Sequence, residues 1–256
     1  MTALVLLEWT IGWAVVAAWS QSWDVITRGH FRITAWGTLL LGVAAGFATL
    51  AALRSLPGTA PTGLVVAGAV LLALFLAVQY SNTDLPGVVA GALIGLFGLY
   101  LLFDIAGQVS GWQTLLAWLH LVIGALLLGG VTNGMMLGHW YLNQPGLKPW
   151  ALARLTMLSL VACGASLALG LATASVLSGA ATEGAALGIP GFGQDFGVFF
   201  YGIWVALVVF TGIVVWMARR CIQIRSIQSA TGLYYVAILT AGVAEFVLRY
   251  LMVNAS

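Results

Sequence analysis

Three ionisable side chains lie inside long apolar stretches of this sequence: Glu8, His120 and Glu245. A charged group surrounded by hydrocarbon is costly unless it is paired or hydrated, so such residues mark candidate functional sites. His120 and Glu245 each lie about eight residues from one end of their stretches, which at ~1.5 Å per helical residue is a depth of ~12 Å. A carboxylate and an imidazole at one depth could accept the protons that a quinol releases on oxidation. We therefore take Glu245 and His120 as candidate catalytic residues.

Arg249 follows Glu245 by four residues, a spacing that puts both side chains on one helix face. The pair is open to three interpretations: a packing ion pair with Arg249 reaching outward, a proton- or ligand-binding carboxylate, or a contact with lipid headgroups. Glu8 comes early in the first apolar stretch, where hydration from the membrane surface is expected. For Arg249 and Glu8 we predict structural, ion-pairing roles.

The remaining candidates are polar residues that could hold a cofactor. His120 is either hydrogen-bonded to a neighbouring helix or a haem ligand. Asn133 is expected to bond across to another helix, and His30 and His139 are predicted on the same side of the membrane. A haem held between two deep histidines needs a second deep histidine, so we expect a quinone or at most one haem b. With no Cys or carboxylate at ligand spacing, we predict no metal site.

The elements that position these residues are predicted to be transmembrane helices. Charged residues make up 6% of the 256 residues and hydrophobic residues 62%, so lipid must surround most of the chain. The apolar runs lack the two-residue alternation of a barrel strand, which favours helices. We predict an all-α polytopic transmembrane helix bundle forming one integral membrane domain, 1–256. Its eight spans are expected near 3–21, 33–53, 61–80, 86–104, 112–142, 152–178, 197–218 and 231–252.

Basic residues set the predicted orientation. Seven of the nine Lys and Arg residues fall in loops on one side of this topology, and the exceptions are Arg54 and Arg249. The positive-inside rule then places both termini on the outer side of the cell (inner) membrane. The scattered charge makes nucleic acid an unexpected partner. Four-residue glycine ladders at 87–95 and 130–138 predict the closest helix contacts.

Two resemblances bear on function. Eight helices with few deep charges resemble the quinol-interacting membrane anchors of molybdopterin and polysulfide-type oxidoreductases, and the run His120–Gly130 is similar to the His…Gly-Gly helix of copper-resistance D-type membrane proteins. No functional residue is carried over from either family.

We predict an integral membrane subunit of an electron-transfer complex that binds a quinone or a single haem and docks partner subunits. The sequence has no self-contained catalytic motif, so any enzymatic role is that of a membrane subunit of an oxidoreductase. Two alternatives stay open: a proton- or metal-coupled transporter, which would have broken helices in two related halves, and a non-catalytic scaffold. We find no internal repeat.

Overall fold

The computed structural model describes residues 1–53, 62–144, 146–179 and 196–254, and every regular element in these ranges is a helix. Arg54 lies outside the described residues. In chain order the helices are α1 (Thr2–Gln21), α2 (Arg28–Leu53), α3 (Thr62–Val78), α4 (Leu85–Ala106), α5 (Thr114–Trp140), α6 (Trp150–Ala172), α7 (Ala174–Ser178), α8 (Phe196–Gln223) and α9 (Ile227–Asn254).

The predicted fold class, a polytopic helical bundle, is confirmed. Within the described residues, seven helices (α1, α2, α4, α5, α6, α8 and α9) are long and apolar enough to cross a membrane. The remaining predicted span, at 61–80, corresponds to α3, which is apolar but has only 17 residues. At ~1.5 Å per residue α3 is ~25 Å long, near the lower limit for a ~30 Å hydrocarbon layer.

Four predicted boundaries are wrong: the starts of the second and eighth spans and the ends of the sixth and seventh. The span expected over 152–178 is divided, because the helix stops at Thr173, where φ is −105° and ψ is 17°. A separate five-residue helix, α7, follows. The second span begins at Arg28 rather than near 33, because Arg28 is held at the helix start: it donates to the carbonyl oxygen of Ser81 at 2.6 Å and forms an ion pair with Asp84 at 3.2 Å.

The helices form two rings of four. In the first ring α1 packs on α2, α2 on α3, α3 on α4, and α4 returns to α1. In the second ring α5 packs on α6, α6 on α8, α8 on α9, and α9 returns to α5. The rings join where α1 lies against α5, with further contacts from α4 to α5 and from α9 to α1.

The backbones of α1 and α5 cross in close contact at Gly12 and Gly129. A Cβ added at Gly12 would overlap the backbone of Ala125, and one added at Gly129 would overlap that of Gly12. The predicted ladders also sit at helix contacts: Gly91 meets the side chain of Ala18, and Gly130 meets that of Ser159. Small residues at these points let backbones approach closely and gain dispersion contacts.

Neighbouring helices in each ring are antiparallel, which gives the bundle two distinct ends. The basic end, as we call it, carries the N-termini of α2 and α6 and the C-termini of α1 and α8. Seven of the basic residues lie there: Arg28, Arg32, Lys148, Arg154, Arg219, Arg220 and Arg225. The opposite end carries the start of α1 and the end of α9. The side of the membrane that each end faces stays a prediction.

Candidate functional site: a buried charge cluster and an apolar cavity

A three-residue charge cluster joins the two rings inside the bundle. Arg249 on α9 contacts Glu8 on α1 through two parallel hydrogen bonds, Nε to Oε1 and Nη2 to Oε2, each 2.7 Å long. The same Nη2 donates to Oε2 of Glu245 at 2.8 Å. All three side chains have 0% relative exposure. We call Glu8, Arg249 and Glu245 the charge cluster.

The helix backbones around the cluster are shaped to hold it. Glu245 and Arg249 are four residues apart on α9 and share a face. The carbonyl oxygen of His120 on α5 accepts a further hydrogen bond from Arg249 Nη2 at 2.8 Å. One turn later, a Cβ at Gly124 would lie 2.5 Å from Glu245 Oε2 and 2.8 Å from Glu8 Oε2. A glycine at position 124 is therefore what lets α5 lie against the cluster.

The structure corrects two expectations about these residues. Glu8 is not hydrated, because α5 and α9 cover it completely, and Arg249 does not reach outward, because its guanidinium points into the cluster. The i,i+4 pairing of Glu245 with Arg249 is confirmed. The sequence did not reveal that Glu8, 241 residues from Arg249, accepts two parallel hydrogen bonds from its guanidinium.

The contacts of the His120 imidazole are with residues outside the charge cluster. Its Nε2 lies 3.0 Å from the hydroxyl of Thr173, at the break between α6 and α7, and its ring meets Trp112 edge-on at 5.5 Å. Its Nδ1 is buried without a hydrogen-bond partner. His120 therefore contributes its backbone carbonyl to the charge cluster, while its side chain contacts Thr173, the residue at which α6 stops.

The two other histidines lie toward the basic end but in different surroundings. His30 is buried, with its ring 5.1 Å from Phe31 and 5.9 Å from Trp140. His139 is exposed and lies 3.0 Å from the hydroxyl of Tyr235. His139 contacts Tyr235 on α9, whereas His30 packs beside Trp140. The two imidazoles therefore have different partners. No group of three or more His, Cys, Asp or Glu residues that could hold a metal occurs among the described residues.

Asn133 joins α5 to α1, as predicted. Its amide nitrogen donates to the backbone carbonyl of Trp13 at 3.1 Å and to that of Gly129 at 2.8 Å. Next to it, the indole of Trp9 donates to the hydroxyl of Thr132 at 2.7 Å. These bonds hold the α1–α5 crossing on the side of the charge cluster nearer the basic end.

A cavity of about 740 Å³ opens inside the first ring, between α1, α2, α3 and α4. It runs from the opposite end of the bundle down to Thr10 on α1 and Leu72 on α3. Its described walls are mostly apolar, and the polar side chains among them are Thr10, Thr49, Asp104 and Gln108. The last two lie at the mouth, where the Gln108 amide donates to Asp104 at 3.1 Å. We call this space the ring cavity.

The ring cavity and the charge cluster use neighbouring residues of the same helix. Leu4 and Leu7 of α1 line the cavity, whereas Glu8 points to α5 and α9. A second, smaller groove of about 310 Å³ lies between α6 and α8 near Gly164 and Gly212. Sequence reasoning missed the ring cavity, because its walls are ordinary apolar residues whose arrangement depends on how four helices pack.

Comparison of the chain with protein-family models, with curated proteins and with solved structures gave no match.

Proposed function

We propose that this protein is an integral membrane subunit of an electron-transfer complex and that it binds a quinone in the ring cavity. The observation that carries the proposal is the cavity itself, about 740 Å³ of space lined by α1 to α4. Sites for small molecules have volumes of roughly 300–1,000 Å³, mostly apolar walls and a few polar groups. The ring cavity fits each of these criteria.

The polar and apolar parts of the cavity match the two parts of a quinone. The isoprenoid tail would lie along apolar side chains such as Leu7 and Phe97, and the ring would lie near Asp104 and Gln108. An amide N–H of Gln108 can donate to a quinone carbonyl, and the Asp104 carboxylate can accept from a quinol hydroxyl. A bound quinone supplies a two-electron carrier that moves within the membrane.

The contacts of the histidines favour a quinone over a haem. None of His30, His120 and His139 lines the ring cavity. His30 and His120 are each about 1% exposed and packed against tryptophan rings, and His139 lies beside Tyr235. A haem iron binds an imidazole nitrogen that points into open space. None of these three histidines supplies such a nitrogen to the ring cavity.

The basic end is the surface that we propose for contact with a partner subunit. Seven cationic residues lie there, on the loops and on the ends of α2, α6 and α8. The guanidinium of Arg154 lies 4.4 Å above the ring of Trp150 and 5.5 Å from that of Trp23. An acidic partner surface or anionic lipid would complement this charge, in the cell membrane with the basic end inward.

A proton- or metal-coupled transporter is the second candidate, and one observation favours it. Helix α6 is broken at Thr173, beside His120 and one helix away from the charge cluster. Transporters built from two related halves have a broken helix in each half. In the first ring, the described parts of α1, α2, α3 and α4 are each continuous. Measurement of ion flux into proteoliposomes separates the two candidates. The transporter predicts flux, and the quinone-binding proposal predicts none.

The quinone proposal is tested by blocking the cavity with one side chain. A Cβ at Gly68 would lie 3.5 Å from Phe97, so the rest of a leucine at position 68 would extend into the ring cavity. Quinone content per chain is measured by chromatography of lipid extracts, and affinity by titration of the delipidated protein. We expect Gly68→Leu to weaken quinone binding by about tenfold or more, since overlap costing about 1.4 kcal/mol already has that effect.

Two glycine variants serve as controls. Gly202 has no heavy atom within 4 Å of its added Cβ and is exposed, and Gly164 is equally open and lines the smaller groove. Gly202→Leu and Gly164→Leu are expected to bind quinone like the wild type. Equal binding by wild type and Gly68→Leu, or no binding by the wild type, would contradict the proposal.

A further inference from the structure

We propose that the charge cluster is a proton-binding site and that Glu245 carries the proton. The first step is a count of charge. Two carboxylates, Glu8 and Glu245, share one guanidinium, that of Arg249, and all three are fully buried. With both acids ionised the cluster has a net charge of −1 inside a bundle surrounded by hydrocarbon. An unpaired buried charge is so costly that an acid at such a position takes up a proton instead.

Among the described residues, the helices packed around Glu245 provide no second cation. From α1 comes Glu8; from α5 comes His120, which presents its carbonyl to Arg249 and its ring to Thr173. From α6 the ionisable residues are Cys163, whose thiol carries no positive charge, and Arg154, in the second turn at the basic end. From α8, the charged residues in the described part are Arg219 and Arg220, in its last turns at the basic end. One proton is therefore what brings the cluster to neutrality.

The hydrogen bonds distinguish the two carboxyl groups. Both oxygens of Glu8 accept from Arg249 in the parallel, two-bond geometry that is strongest for an ionised carboxylate. Glu245 accepts through Oε2 alone, and its Oε1 is buried with no hydrogen-bond partner. Glu8 and Arg249 are thus the permanent ion pair, and the free Oε1 of Glu245 is the position for the proton.

This inference is independent of the quinone proposal. The lining of the ring cavity includes neither Glu8 nor Glu245. A protein without quinone would still hold two acids against one guanidinium. The ligand of the cluster is the proton itself, bound reversibly at a carboxyl group that links α9 to the α1–α5 crossing.

Infrared spectroscopy detects the proton directly. At about pH 8 exposed carboxyl groups are ionised, so a C=O stretching band of a protonated carboxyl group that shifts in D₂O must come from a buried acid. We expect one such band in the wild type. Glu245→Asp should shift the band, since the C=O then belongs to an aspartic acid, whereas Glu8→Asp should leave its position unchanged. Glu8→Gln should abolish it, because Arg249 then has a single carboxylate to neutralise.

A second measurement leaves the cluster intact. Incorporation of ¹³C-glutamate should shift the wild-type band, and the Glu183→Gln variant should keep it, because Glu8, Glu183 and Glu245 are the three glutamates in the chain. Absence of the band in wild-type protein at about pH 8 would overturn the proposal. So would a band that moves with Glu8→Asp and not with Glu245→Asp, or one that ¹³C-glutamate leaves in place.

Discussion

Replacement of Arg249 by methionine tests whether the charge cluster holds the two rings together. The change removes two hydrogen bonds to Glu8, one to Glu245 and one to the carbonyl of His120, all from a side chain with 0% exposure. Removing one partner of a buried ion pair costs about 3–5 kcal/mol, because the other is left without compensation. We therefore expect Arg249→Met to lower the free energy of unfolding by about that amount.

The assay is reversible unfolding in mixed micelles, in which a denaturing detergent replaces a mild one. Arg249→Lys keeps the charge but loses the two-pronged geometry, so a smaller loss of about 1–3 kcal/mol is expected. Arg220, exposed at the end of α8, gives the matched control, and Arg220→Met should stay within about 0.5 kcal/mol of wild type. If Arg249→Met cost no more than Arg220→Met, the cluster would not stabilise the fold and the reasoning would be refuted.

Three further predictions concern packing, orientation and pH. Gly12→Ala places a Cβ against the backbone of α5, which cannot move aside, and should destabilise the bundle by about 1–3 kcal/mol in the same assay. Gly202→Ala should not destabilise it, because its Cβ meets no neighbour and alanine has the higher helix propensity. In a cysteine-free background, Gln108→Cys should react with an impermeant thiol reagent added to intact cells, and Ser226→Cys only after permeabilisation; the reverse pattern would invert the predicted orientation. Burial raises the pKa of the Tyr141 hydroxyl, just beyond α5, to about 12, above the value of about 10 in the unfolded chain. The stabilisation from the neutral, buried hydroxyl is therefore full below about pH 10 and is lost as the pH rises toward about 12. Tyr141→Phe should make the free energy of unfolding less dependent on pH over that interval.

Much of the fold follows from the sequence, because hydrocarbon imposes a simple requirement on it. A segment that crosses lipid must be apolar, of sufficient length and helical, so each apolar run predicts one helix. The break at Thr173 could not be seen in this way, since its flanking residues are as apolar as those of a continuous span. The helix ends were also imprecise, because Arg28 extends α2 through tertiary bonds to Ser81 and Asp84.

The candidate site was predictable only where its contacts are local. Glu245 and Arg249 are four residues apart, so helical periodicity alone pairs them. The partnership of Glu8 with Arg249, and the need for Gly124 beside them, depend on α1, α5 and α9 meeting, which one sequence does not specify. The crossing at Gly12 and Gly129 is hidden in the sequence for the same reason, since neither glycine belongs to one of the regular four-residue ladders.

The location of a bound quinone tests the functional account most directly. The experiment is photo-crosslinking of the purified protein with a photoreactive quinone analogue, followed by mass spectrometry of the labelled peptides, with native quinone as competitor. The account predicts labelling that native quinone suppresses, confined to residues of the ring cavity such as Leu7, Phe97 and Leu101. Labelling confined to the groove between α6 and α8, or labelling that native quinone does not reduce, would contradict it.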